Sequence, residues 1–228
     1  FSKMTRKRDF KDDPETRRPM ETRTTTPITA VMVLLEEKLR QQVRQDKPLL
    51  VAIDGRCASG KSTLAKDLQK QLDCNVIHMD DFYLQPHQRT TKRLREPGGN
   101  VDYERFETEV LQPLLTGEAF SYRPYDAHAV CFLPEVIVSP KKVTIIEGSY
   151  ACHPRLRRSY DLRIFLTVDR QEQLERIRKR NGEEREEMFE RIWIPLEERY
   201  FWKAGVEKNL RYQSGYDRAV RGLSAARI

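Results

Sequence analysis

No run of 18 apolar residues occurs anywhere in the sequence, so neither a membrane-spanning helix nor a membrane partner is expected. The first residues as given lack the apolar stretch of a secretory signal, so none is expected there, an expectation made conditional by the chain beginning at Phe1 rather than Met. Cysteine is scarce, and Cys57, Cys74, Cys131 and Cys152 lie too far apart for a C-x-x-C zinc or redox pair. With no signal and no paired cysteines, the thiols read as reduced and the protein as cytoplasmic. Apolar residues are also in short supply, 38% beside 34% charged, which predicts a core wrapped in a heavily charged surface. The 228 residues still suffice for one large domain that needs neither disulfide nor metal to hold its fold. Forty-two Lys and Arg against 35 Asp and Glu leave +7. That balance suits nucleic acid, a membrane surface or polyphosphates without choosing among them.

Residues 1–25 hold eight basic and five acidic residues and no helical or strand period. They read as a disordered or expression-derived basic arm ahead of a single domain at 26–228. Thr26-Pro27 is a helix start, and Val31, Leu35, Leu39 and Val43 form one apolar stripe on a helix ending near Gln45. Leu49–Ile53 fits a buried parallel strand, Leu64, Leu68 and Leu72 mark a helix over 61–72, and Asn75–Met79 reads as a strand ending at Asp80-Asp81. Residues 83–101 are loop-like. Tyr103–Leu115 is helical with an interruption at Pro113, and 120–137 reads as a hairpin. Val143–Ile146 and Arg163–Val168 are further strands. Asp169 and Glu172 make a capping box for a helix over 170–180, and Met188, Ile192 and Leu196 mark another over 183–199. Strands alternating with helices predict an α/β fold with a parallel sheet. Tyr200–Ile228 shows no apolar strand, so the sheet lacks an edge strand or the tail belongs elsewhere.

The strongest pattern is Gly55-Arg56-Cys57-Ala58-Ser59-Gly60-Lys61-Ser62, which fits G-x-x-x-x-G-K-[ST] between a strand and a helix. Glycines let successive N–H groups turn inward around phosphate oxygens, and the helix start adds partial positive charge. Gly55, Ala58, Ser59, Gly60, Lys61, Ser62 and Thr63 are therefore the expected ATP-binding set. Lys61 reaches the outer phosphates, and the Ser62 hydroxyl suits Mg2+. Such a loop needs a carboxylate at a neighbouring strand end for the metal, and Glu147 and Asp80 are the two candidates. If one serves the metal, the other can take a proton from an attacking hydroxyl, the division of labour of a small-molecule kinase.

Val51–Gly55 running into this loop, Met79-Asp80-Asp81-Phe82-Tyr83, Asn100-Val101-Asp102, Tyr125-Asp126 and Ile146-Glu147-Gly148 together resemble the uridine kinase/phosphoribulokinase family over roughly residues 49–200. The resemblance implies a P-loop NTPase fold: three layers α/β/α, a mostly parallel central sheet, a small β-hairpin and a helical lid at about 176–199. It further implies Asp80 as base on a nucleoside 5′-hydroxyl, Tyr83 near the nucleoside and Asp102 on the ribose, with Val101 where the family has an aromatic. Tyr125 would line the base pocket, with His128 as the pocket histidine at a shorter spacing than the family's, and Glu147 would partner Mg2+. From the residues themselves, Tyr125 also reads as hairpin packing and Asp102 as the cap of the helix at Tyr103.

Arg176, Arg178, Lys179 and Arg180 open a stretch, 170–199, with eight basic and nine acidic residues. It reads either as a solvated face with pairs Glu172–Arg176, Glu175–Lys179 and Glu187–Arg191, or as a lid whose Arg176 and Arg180 stabilise the transferring phosphoryl. The family's Arg-Asp pair here is Arg180-Asn181. The expected activity is phosphoryl transfer from ATP-Mg2+ to a small-molecule hydroxyl, with uridine or cytidine first by resemblance. Sugar phosphate, pantothenate, glycerate or nicotinamide riboside are the alternative acceptors, and Arg89, Lys92, Arg93 and Arg95 could serve a phosphorylated one. A nucleic-acid-driven ATPase is the rival of another class, but nucleic acid is not the expected partner because no aromatic and basic array like an RNA module is present. Whether the protein is a homo-oligomer is left open.

Overall fold

The structure is a computed structural model and describes residues 27–42, 47–207 and 212–215. The expected arm at 1–25 and the expected helix end at Val43–Gln45 lie outside the described residues. In chain order, α1 (Pro27–Gln42), β1 (Leu49–Gly55), α2 (Lys61–Gln71) and β2 (Cys74–His78) come first, then a 3₁₀ turn over Met79–Phe82. α3 (Thr91–Arg95), α4 (Tyr103–Phe106) and α5 (Gln112–Thr116) follow. The hairpin consists of β3 (Phe120–Tyr122), β4 (Tyr125–Asp126), β5 (Cys131–Phe132) and β6 (Val136–Val138). β7 (Val143–Glu147), β8 (Leu162–Thr167), α6 (Arg170–Asn181), α7 (Glu183–Met188), α8 (Ile194–Ala204) and β9 (Tyr212–Gly215) complete the described chain.

Among the described residues five strands form one sheet in the order β2-β7-β1-β8-β9, every neighbouring pair parallel. β1 is buried along its whole length, and its side chains alternate between two cores, as a strand covered on both faces requires. Leu49, Val51 and Ile53 pack with Val31 and Leu35 of α1 and Leu64 and Leu68 of α2. Leu50 and Ala52 face Phe82, Phe106, Phe165, Tyr200 and Phe201 on the other side. This is the expected three-layer α/β/α arrangement. The hairpin pairs β3 with β6 and β4 with β5, both antiparallel. No helix among the described residues is long and apolar enough to cross a membrane.

Several expectations need correction. The sheet does have its fifth strand: β9 pairs with β8 from Ile164↔Tyr212 to Thr167↔Gly215. Tyr-Gln-Ser-Gly carries no apolar run, so nothing in its pattern announces a strand. Met79 leaves β2 and enters the 3₁₀ turn, which moves Asp80 and Asp81 off the strand end. Pro113 does not break its helix, because the chain widens to a π turn over Glu107–Leu111 and stays helical to Thr116. A wider turn removes the need for the missing N–H and relieves the ring's clash with the preceding turn. The same device precedes Pro195, with a π turn over Phe189–Trp193 carrying the expected 183–199 helix on to Ala204. Asp169 caps α6 by accepting from the Gln171 N–H at 2.8 Å, but the return half of the box is absent because Glu172 turns to Arg176. Glu187–Arg191 pairs as expected, whereas Glu175 takes Gln171 instead of Lys179.

Candidate active site

The phosphate loop leaves β1 at its carboxyl end. Gly55 has φ +137°, and a Cβ there would lie 2.0 Å from the Leu166 carbonyl oxygen of β8, so only glycine lets the two strands close beside the loop. The loop's outer arm is bonded to the protein. Gly55 N–H donates to Asp54 Oδ1 at 2.7 Å, Arg56 N–H to Leu166 O at 3.1 Å and Cys57 N–H to Glu197 Oε2 at 2.9 Å. By contrast, the N–H groups of Ala58 and of Gly60 through Thr63 have no protein partner among the described residues. Gly60, at φ +95°, is the cap of α2. Lys61 is buried, and its Nζ donates to the carbonyls of Gly55 and Arg56 at 2.8 and 2.9 Å. Ser59 Oγ is buried without a partner among the described residues. An arc of unpaired N–H groups at a helix start, a lysine and an orphan hydroxyl fit a phosphate group.

The sheet register sets Ile53, Glu147 and His78 abreast at the carboxyl ends of β1, β7 and β2. Glu147 is 4% exposed; its Oε2 accepts from Ser62 Oγ at 3.2 Å, and its Oε1 lies 2.5 Å from His78 Nδ1. Two of the three residues expected at the metal, Ser62 and Glu147, are therefore in contact. One hydroxyl and one carboxylate suit Mg2+, which keeps waters and phosphate oxygens as its other ligands. Among the described residues no group of three or more His, Cys, Asp or Glu side chains is disposed to hold a metal by itself.

Gly148, at φ +136°, brings the second acid close. A Cβ there would sit 2.9 Å from Met79 Cβ, so the turn after Glu147 packs against the 3₁₀ turn that carries Asp80. Asp80 is exposed, and its Oδ1 accepts from the Tyr83 hydroxyl at 3.0 Å. His78 sits between the acids: the Glu147 hydrogen bond and the charges of Glu147, Asp81 and Asp80 raise its pKa against the opposing effect of burial. Asp81 differs in use, its Oδ2 accepting from the Tyr122 hydroxyl at 3.0 Å, with burial raising its pKa.

The acceptor-side residues are more dispersed. Asp102, 3% exposed, caps α4 by accepting from Arg105 N–H at 3.0 Å and takes the Gln88 amide on its other oxygen at 2.7 Å. The cap role is thus present, and a cavity of about 250 Å³ beside it is lined by Leu84, Gln88, Arg93, Asp102 and Glu104. Tyr125 packs edge-on against Phe132, 5.3 Å between centroids, as hairpin core. His128 is exposed at the hairpin tip, where its N–H donates to Asp126 Oδ1 at 2.8 Å. Among the four loop cations, Arg93 is occupied internally by Glu104, Tyr103 and the Gly99 and Val101 carbonyls, while Arg89, Lys92 and Arg95 are exposed.

On α6, Gln173 and Arg176 donate to the Cys57 and Ala58 carbonyls, both at 3.0 Å, so this helix does lie against the phosphate loop. Arg180, one turn beyond Arg176, is exposed and held by Asn181 Oδ1 at 2.8 Å, the residue that replaces the family's acid. Sequence reasoning missed His78, Asp54 and Glu197. Asp54, fully buried, accepts from Gly55, Tyr150 and Cys152 N–H groups and from the Tyr200 hydroxyl. Burial pushes its pKa up to about 6 despite those bonds.

A sequence model described as an AAA domain matches residues 51–193. The uridine kinase of Brevibacillus brevis is 30% identical over 152 residues, covering 60% of this chain and 68% of that protein. Uridine kinase-like protein 3 of Arabidopsis thaliana is 28% identical over 65% of this chain, but the match spans only 34% of the plant protein. A solved structure from Bacillus stearothermophilus, described as a possible uridine kinase, superposes with TM-score 0.59 at 20% identity over 81% of this chain and 97% of its own, a likeness of fold. With its phosphate loop, its parallel sheet and these relatives, the chain carries the AAA-domain family's sequence pattern and belongs to the uridine kinase-like P-loop kinases.

Proposed function

We propose that the protein transfers the γ-phosphoryl of ATP to a hydroxyl of a small molecule, the 5′-hydroxyl of a pyrimidine nucleoside first. One observation carries this reading: the Glu147 carboxylate, bonded to Ser62 of the loop, lies on a turn packed against the segment bearing Asp80. Two acids of unequal burial beside one phosphate cradle suit two tasks. Glu147 and Ser62 would hold Mg2+, which when bound neutralises charge on the β- and γ-phosphates. Lys61 exchanges its two carbonyl partners for phosphate oxygens, and the unpaired N–H groups orient the chain of phosphates. Exposed Asp80, steadied by Tyr83, accepts the proton of the attacking hydroxyl. Arg176, beside the Ala58 carbonyl, and Arg180 one turn away meet the charge of the moving phosphoryl. Asp102 and Tyr125 would engage ribose and base once Gln88 yields its bond.

A second reading, an acceptor that already carries an anionic group, is suggested by a separate cleft of about 150 Å³ where Arg89 and Arg199 stand with one opposing carboxylate, Glu96, among Leu94, Asn100 and Trp193. The test is a panel of nucleosides, sugar phosphates and hydroxy acids scored by product mass and ADP release. Asp80→Asn is expected to keep ADP affinity while transfer falls by roughly 100-fold or more, and Lys61→Ala to lose nucleotide affinity itself. ATP turnover that requires nucleic acid and ignores every small hydroxyl compound overturns the proposal.

A further inference from the structure

Three nearby side chains of α8 grip three nearby residues at the root of the phosphate loop. Glu197 Oε2 accepts the Cys57 N–H at 2.9 Å, Glu198 takes the Arg56 guanidinium with bonds of 2.6 and 3.0 Å, and the Tyr200 hydroxyl donates to Asp54 Oδ2 at 2.8 Å. Glu197 does more than the other two. Its Oε1 accepts from Ser149 Oγ at 2.6 Å, and Ser149 stands two residues beyond Glu147 on the same turn.

Glu197 is 5% exposed on a helix face otherwise given to Ile194, Tyr200 and Phe201. Among the described residues no cation lies within 4 Å of it. A carboxylate stripped of water without a counter-ion is costly, and packing alone would be served by an apolar residue. Its two donors come from the phosphate loop and from the turn of the metal carboxylate. Its two hydrogen bonds therefore tie together the two segments that would meet a bound nucleotide.

We propose that Glu197 is a positioning residue for nucleotide binding. It fixes the distance between the loop at Cys57 and the turn at Ser149, so that the unpaired N–H groups and the Glu147 carboxylate address the same polyphosphate. By engaging the Cys57 N–H, it also limits the cradle to Ala58 and Gly60–Thr63. The inference rests on the nucleotide half of the proposed function and not on the identity of the acceptor.

The experiment is Mg2+·ADP titration by calorimetry on the full chain, with no acceptor present, alongside thermal unfolding. Glu197→Ala is expected to weaken Mg2+·ADP about tenfold or more, well below its unfolding temperature. Glu197→Gln should stay within about threefold, because its amide oxygen still accepts from Cys57 and its NH₂ can donate to Ser149 Oγ. Ser149→Ala is expected to cost about threefold, and the double variant no more than Glu197→Ala alone, as a shared bridge demands. A purely structural role would lower the unfolding temperature of Glu197→Ala with affinity unchanged, and that result overturns the proposal, as does Glu197→Gln behaving like alanine. Should Glu197→Ala not fold, Ser149→Ala decides: undiminished Mg2+·ADP affinity there refutes the bridge. If the unmutated chain fails to bind Mg2+·ADP, the nucleotide site itself falls, whereas acceptor-independent binding with an indifferent Glu197→Ala removes this inference alone.

Discussion

Alanine at position 93 separates two uses of one cation. Arg93 is a candidate ligand for a phosphorylated acceptor by charge, yet its side chain is only 16% exposed and fully engaged. It donates to Gly99 O at 3.0 Å, Val101 O at 2.9 Å, Tyr103 Oη at 2.7 Å and both Glu104 oxygens at 2.6 Å, and lies 3.8 Å over the Tyr103 ring. Two carbonyls in a buried stretch would lose their donor, each at about 1–3 kcal/mol. The Glu104 pair adds less than about 1 kcal/mol, because that carboxylate is 47% exposed and screened. The ring contact adds roughly 0.5–1 kcal/mol. A loss of about 3–5 kcal/mol should lower the unfolding midpoint by roughly 10 °C in a chain of this size. Differential scanning calorimetry reads the stability, and a coupled assay well below the transition reads acceptor KM, which should move by less than about threefold. A variant as stable as the parent with acceptor KM raised about tenfold would show Arg93 to be a ligand and refute the reasoning.

Gly55→Ala must either part β1 from β8 or leave a Cβ 2.0 Å from the Leu166 carbonyl oxygen. It should cost more than about 4 kcal/mol and deplete folded protein, whereas Gly60→Ala meets nothing within 4 Å and suffers only the roughly 1–2 kcal/mol of its left-handed φ. Equal midpoints for the two variants in urea would contradict this. His153, stacked on Tyr103 at 4.2 Å, is held by burial down to about 4, so the unfolded chain binds a proton between pH 6.5 and 4 that the folded chain does not. The imidazole therefore destabilises on acidification through that window, and His153→Phe should gain on the parent by about 3 kcal/mol from pH 7 to pH 4. Asp54, raised to about 6, has the opposite sign, so Asp54→Asn should lose ground to the parent over pH 6 to 3.8. Differences between variant and parent that stay flat across pH would dismiss both.

The phosphate loop was legible because its chemistry is local: glycine spacing, a lysine and a hydroxyl within eight residues, between an apolar strand and a helix. Glu147 was legible because a strand ends there. His78 was not, since its partnership with Glu147 exists only through the parallel register of β2 on β7, 69 residues apart. Arg93 read as a free cation for a similar reason: the loop that folds it back onto the Gly99 and Val101 carbonyls and the start of α4 follows a path that no periodicity describes. β9 escaped because an edge strand held by backbone bonds to one neighbour needs no apolar alternation.

Glu197 escaped for a different reason, found in the helix itself. Spacing by four from Met188 through Ile192 to Leu196 predicts a buried stripe, but Met188 and Ile192 are 48% and 49% exposed. The π turn over Phe189–Trp193 contains Ile192 and separates Met188 from α8, and one extra residue in a turn rotates everything after it by about 100°. After that rotation the buried face is Ile194, Glu197, Tyr200 and Phe201. Pro195, which calls for the widened turn, thereby decides which side chains of α8 reach the phosphate loop. Without that rotation Glu197 would lie on a different face of α8, so the proline and the buried carboxylate belong together.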